Sequence, residues 1–188
     1  MDPKVPEVTP YGIVKTIRYM VNSTAEFLEV IYTVNQILGS VADKPMLEQL
    51  HKTARFEVIP LPHSQHKFIA CFDVPGELLG LPMPRKPHLL DLTDAKSAAN
   101  RVRIVNKPPQ VLMQYKVSSL YDINCAMYDF EATLAPAIPS TQWLRVKRSI
   151  AVLIMPRQTP EATHCILISA EANPAAPINQ AAPASTAD

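Results

Sequence analysis

His63 and His66, in the run PHSQH, have a spacing met in metal pairs, and Cys71 follows nearby. A zinc site takes four ligands, usually as two close pairs, and the chain offers no second pair. The two histidines fall between two expected strands, where polar turn residues belong, so no metal ligand is assigned. Cys71, Cys125 and Cys165 are odd in number, far apart and set among apolar residues. They read as reduced, buried thiols of a protein that matures in a reducing compartment. A cysteine hydrolase needs an exposed, activated thiolate with a histidine in hydrogen-bond reach. All three cysteines fall in expected strand interiors, and His164 beside Cys165 would face the opposite way. No catalytic residue is assigned, and the chain is read as no enzyme. Glycine occurs only four times, at positions 12, 39, 76 and 80. No two of these could form a phosphate-cradling loop, which excludes GxGxxG and Walker-type sites. No cofactor is expected.

Two basic clusters offer a different chemistry. Arg101, Arg103 and Lys107 form one, and Arg145, Lys147 and Arg148 the other. Each alone reads as a solvated sheet face. Together they would make a patch able to meet phosphates or lipid headgroups. Aromatic residues are too few, and not interleaved with the basic ones, for a base-stacking RNA platform. No sequence-specific nucleic-acid partner is expected. The N-terminal arm carries Pro3, Pro6 and Pro10 around Val5 and Val8, and Tyr11 follows. A proline-stiffened extended segment loses little entropy on docking, so the arm suits a groove on a neighbouring copy. The acceptor expected for it is the proline-rich loop from Leu81 to His88, with Leu81, Pro82, Met83 and Pro84 at its centre.

The elements that must position these residues follow from pattern. Ser23 and Glu26 have capping-box spacing, and the Glu26 carboxylate would reach back to the serine N–H. Phe27, Ile31, Val34 and Leu38 then form a helical apolar stripe, widened by Leu28, Val30 and Ile37. Gly39 sits where a left-handed cap would end the helix. Tyr11 to Val21 is taken as a strand, although Val14, Ile17 and Val21 would also make a helix face. Pro45 opens a second helix with Met46, Leu47 and Leu50 inward. Strands are expected over Phe56–Val58, Phe68–Val74, Arg101–Val105, Val111–Val117, Ile123–Thr133, Trp143–Met155 and Cys165–Ala170. Residues 76–93 read as a long loop, with Thr93 capping a short helix over 94–100. The sum is an α+β fold: a mainly antiparallel sheet with one long and one or two short helices packed on one face. A chain of 188 residues with 47% hydrophobic content can bury one good core. The expected organisation is an extended arm over 1–10, one globular domain over 11–170, and a disordered Ala/Pro tail over 171–188. The net charge of +1 places any anionic contact in a local patch rather than a global field. Nothing at the start resembles a signal peptide, and no run approaches the ~18 apolar residues of a membrane span.

This order of elements resembles the rhabdovirus matrix proteins. The similar features are the proline-bearing arm, YGIVKTIRYMV as a first strand, and the long helix STAEFLEVIYTVNQIL. ADKPMLEQL follows, with Lys44-Pro45 ahead of a second helix. Late in the chain comes KPPQVLMQYKVSSLYDINCAMYDFEATLAPAI, where a Tyr-Asp and an acidic residue precede Leu-Ala-Pro. The length is similar to that of the shorter plant-virus members. The resemblance implies a non-enzymatic virion protein that self-associates and bridges the helical nucleocapsid to the viral membrane. Its partners would be itself, the viral nucleoprotein and anionic lipid headgroups. It would be found in the virion, and in host cytoplasm or nucleus during infection. The arm has one lysine, Lys4, and only Thr9-Pro10-Tyr11 echoes a budding motif. Ubiquitin-ligase recruitment and membrane attachment through the arm are therefore not carried over. Two other readings fit the same composition: a ring subunit of a bacteriophage tail or neck, and a cysteine-dependent enzyme.

Overall fold

Ser23 starts the long helix as its pattern requires. In a computed structural model, which describes residues 8–9, 12–54, 56–60, 68–75, 86–92, 101–155, 164–175 and 178, its hydroxyl accepts the Glu26 N–H at 3.2 Å. The Glu26 carboxylate reaches one residue further back than expected, taking the Asn22 N–H at 2.7 Å and its side-chain amide at 3.1 Å. The resulting helix α1 spans Thr24–Val41, and Phe27, Ile31, Val34 and Leu38 are buried along it. Leu28 and Ile37, at the margin of that stripe, are half-buried. Gly39 does not end the helix. It lies inside the last turn, where the chain segment at His88 approaches so closely that an added Cβ would overlap the His88 carbonyl oxygen.

Before α1 run β1 (Val8–Thr9) and β2 (Gly12–Val21), and after it α2 (Lys44–Thr53), β3 (Phe56–Pro60) and β4 (Phe68–Pro75). Asp43 caps α2 by accepting the Met46 N–H at 3.0 Å, and Pro45 occupies the first turn. Leu47 and Leu50 are buried, whereas Met46 is exposed. The strands form one antiparallel sheet in the order β1-β2-β4-β3. The strand reading of the segment before Val21 thus holds, and Val8 pairs with Ile13 of its own chain.

The second set of elements is β5 (Arg101–Lys107), β6 (Gln110–Val117), α3 (Leu120–Leu134), a 3-10 turn over Ala135–Ala137, α4 (Ser140–Arg148), β7 (Ala151–Met155) and β8 (His164–Glu171). Its strands make a second antiparallel sheet, ordered β5-β6-β8-β7. One face is buried: Met113, Tyr115, Val152, Ile154, Ile166 and Ile168 lie on it. Two expected strands are helices here. Leu120, Ile123, Phe130 and Leu134 recur at helical spacing and are all buried, so the segment read as a strand over 123–133 satisfies period 3.6 better than period two. Asp122 marks its start by accepting the Ser118 N–H and hydroxyl at 2.9 and 2.8 Å. The expected strand over 143–155 splits in two. Trp143 and Val146 face inward at a spacing of three on α4, and Ser149 stops that helix before β7.

The α+β class with antiparallel sheets is therefore observed, with four helices among the described residues instead of the two or three expected. The sequence reading put one domain over 11–170. Contacts gather into two compact units instead: residues 1–91 with Ser119–Tyr121, and residues 92–118 with 122–188. Each has its own four-stranded sheet and its own buried side chains, which is why one chain of this length makes two cores. The part of the expected tail that is described is also held: the Ala172 N–H donates to the Pro109 carbonyl at 2.7 Å, the Ala175 N–H to Ala137 at 2.9 Å, and Ile178 is buried. The short helix over 94–100, residues 76–85 of the long loop, and His63 and His66 lie outside the described residues.

Candidate interaction site on the second unit

All six basic residues singled out in the sequence lie in the second unit, but they do not form one patch. Arg101 is withdrawn from solvent. On β5 it meets Asp129 of α3, with Nε donating to Oδ2 at 2.9 Å and Nη2 to Oδ1 at 2.7 Å. Nη2 also donates to the Thr133 hydroxyl at 2.8 Å. Tyr115, fully buried on β6, donates its hydroxyl to the same carboxylate at 2.8 Å. Both side chains of the ion pair are only 10% exposed. Burial, with the Asp129 carboxylate beside it, pushes the Tyr115 phenol far above its usual range, so the hydroxyl keeps its proton and serves as a donor. A buried arginine whose donors are aimed at a carboxylate and a hydroxyl is a structural clamp between strand and helix. It is not available to an outside anion.

The other five stay at the surface. Arg103 and Lys107 project from β5, beyond an irregularity in the β5–β6 register between Arg101 and Arg103. That extra residue lets Arg101 turn inward while Arg103 turns out. Arg145, Lys147 and Arg148 occupy the last turn of α4, where the helix dipole favours cations. Lys147 is turned aside to Glu131 of α3, 3.3 Å away. Arg145 and Arg148, three residues apart, share one outward face with Leu144, which is 61% exposed. On the strand expected over Trp143–Met155, Leu144 would face away from Arg145. On a helix it stands beside the arginines, and Trp143 takes the inward place.

The turn after Lys107 and the α4 end carrying Arg145 border one shallow cleft of about 100 Å³, lined also by Gln142, Val146, Glu171 and Asn173. Of the basic residues only Arg145 lines this cleft, which holds one exposed carboxylate, Glu171, so the two clusters are not joined through it. Cys125 and Cys165 are in no disulfide and each is only 2% exposed, so neither offers a competing site. Among the described residues no group of three or more His, Cys, Asp or Glu side chains is placed to hold a metal ion, and no helix is long and apolar enough to cross a membrane. Of the self-assembly residues, Val8 is in β1, while Pro3, Val5, Pro6, Pro10, Tyr11, Leu81, Pro82, Met83 and Pro84 lie outside the described residues. Sequence reasoning missed Asp129 and Thr133 as partners of Arg101, and Tyr115 as a second donor to Asp129; the signal was a lone acid in an apolar helical stripe. Compared with known proteins, the chain matches no family model, no curated protein and no solved structure.

Proposed function

We propose that this chain is a non-enzymatic structural protein of matrix type, which self-associates and bridges a helical nucleocapsid to the viral membrane within the virion. The observation that carries the reading is the outer face of α4, where exposed Leu144 stands with Arg145 and Arg148. An apolar side chain flanked by cations suits a surface of phosphates over hydrocarbon, because the leucine can enter the boundary while the arginines stay with the headgroups. The similarity of the arm, first strand and long helix to the matrix family supports the same reading, and self-association would use the arm. The test is flotation of the full chain with phosphatidylserine-containing vesicles at low and high salt. Binding should fall with salt, since the Debye length shrinks from about 8 Å at physiological strength to about 3 Å at 1 M. The double charge reversal Arg145→Glu with Arg148→Glu should abolish flotation with an unchanged melting temperature, because both side chains are exposed. Flotation indifferent to salt and to this variant overturns the reading.

A further inference from the structure

Among the described residues one face of the second sheet is buried under its own unit and the other is largely exposed, apart from the buried Cys165 beside Lys116; this open face has a chemical polarity. Register places Val105, Leu112, Ser169 and Ala151 in one cross-strand row, and Arg103, Gln114, Leu167 and Leu153 in the next. All of these are exposed or half-buried, Val105 at 40% and Leu153 at 48%. The residues between them along each strand, such as Met113, Ile166, Ile168 and Val152, are buried on the other side. Tyr115 meets α3 there, so that helix covers only the inward face.

The cations of the open face sit on one half of it. Arg103 and Lys107 are on β5 and Lys116 on β6, all exposed. The half formed by β7 and β8 presents Leu153 and Leu167, with Glu171 the one acid at its end. Four strands at about 4.8 Å spacing make a platform about 14 Å wide and, over six residues of β6, about 20 Å long. That is roughly 300 Å², well short of the ~800 Å² per partner of a standard interface. A second copy of the chain would need more area than this face offers. A single helix about 10 Å across fits its width, and three turns fit its length.

We propose that the open face of this sheet docks a short amphipathic acidic helix of another protein, its apolar stripe on Leu112, Leu153 and Leu167 and its acidic flank toward Arg103, Lys107 and Lys116. The arrangement adds a layer to a sheet that α3 covers on its inward face, and charge sets the direction of the bound helix. This surface is separate from the α4 face, so either reading can fail without the other.

The experiment uses the full chain and two designed, fluorescein-labelled three-turn helical peptides with the same leucine stripe, one flanked by glutamates and one by lysines. Anisotropy should report salt-sensitive binding of the acidic peptide and none of the basic one. Leu153→Glu should weaken the acidic peptide about tenfold or more, as loss of a central apolar anchor does. Arg103→Glu, on a side chain that supports no core, should do the same and guards against misfolding of the first variant. Arg145→Glu should leave binding unchanged. Equal binding of both peptides, or indifference to Leu153→Glu and Arg103→Glu, overturns the proposal. So does a sedimentation result in which Leu153→Glu converts a dimer to a monomer, since the face would then belong to a second copy.

Discussion

Replacing Asp129 by alanine would leave the Arg101 guanidinium, 10% exposed, without its counter-charge and the Tyr115 hydroxyl without its acceptor. Breaking a buried pair from one side costs far more than the pair contributes, about 3–5 kcal/mol. Asp129→Ala should therefore lower the unfolding free energy by that amount, whereas Glu131→Gln, on the half-exposed pair with Lys147, should change it by about 1 kcal/mol or less. Equilibrium urea unfolding of both variants checks the contrast. In the first unit, His51 is buried, with Nδ1 against the Leu47 carbonyl at 2.9 Å and Nε2 against the Asn35 side chain at 3.0 Å. Burial pulls its pKa below the usual value, and the hydrogen bond to Leu47 opposes this only in part. The neutral ring is thus the form that the fold favours. Its contribution is present above the free value of about 6.5 and is lost as pH falls through the lowered one. Melting temperature should drop between pH 7 and pH 5, and the drop should be shallower in His51→Leu, which starts lower at pH 7. An identical slope in both proteins would assign the acid sensitivity elsewhere.

At the scale of elements, the end of α1 is set by another part of the chain. The Gly39 carbonyl is one of the last four of the helix, which have no acceptor role within it, and it takes the His88 N–H at 2.8 Å. Exchanging glycine for alanine inside a helix normally gains about 1 kcal/mol. Here the new methyl group would overlap the His88 carbonyl oxygen, which is backbone and cannot swing away. Gly39→Ala should therefore destabilise the protein by about 1–3 kcal/mol, the range of an overpacked site, and amide exchange near His88 should speed up. A stability gain would mean that the segment from Lys86 to Leu92 yields at no cost. The other elements decided outside themselves are α3 and α4. Ile123, Ala126 and Phe130 fit a strand face poorly and a helix well, but the run between Ser118 and Ser140 contains both alternation and helical spacing. What selects the helix is that Leu120, Ile123, Phe130 and Leu134 can all be buried at once, with Asp129 delivered to Tyr115 and Arg101.

For the whole molecule, two units each bury a separate set of side chains, and the proposed assembly role rests on surfaces outside those cores. The arm is part of this. Val8 and Thr9 pair with Ile13 and Gly12, a ladder of two residues at the edge of the first sheet. So short a pairing adds little to stability, since a hairpin alone is marginal in water. Deleting residues 2–10 should leave the melting temperature near native while abolishing higher assemblies in light scattering. Full-size assembly by the deletion variant would show that the arm has no part in self-association.

The sequence by itself determined what depends on neighbours a few residues apart. The Ser23 cap, the buried stripe of α1, Pro45 in the first turn of α2, and the strands on either side of Pro108 and Pro109 all follow from local spacing and backbone chemistry. The candidate site was legible only as a list of cations, because a charge in a sequence carries no sign of whether it faces water. Tertiary structure decided that Arg101 turns inward to an acid 28 residues away, while Arg103, two positions on, stays out. It also decided that Leu144 joins Arg145 and Arg148 on a helix, and that Gly39 serves a close approach instead of a cap. In each case the deciding energy lies in a contact between residues far apart along the chain, where burial outweighs local propensity and periodicity gives no vote.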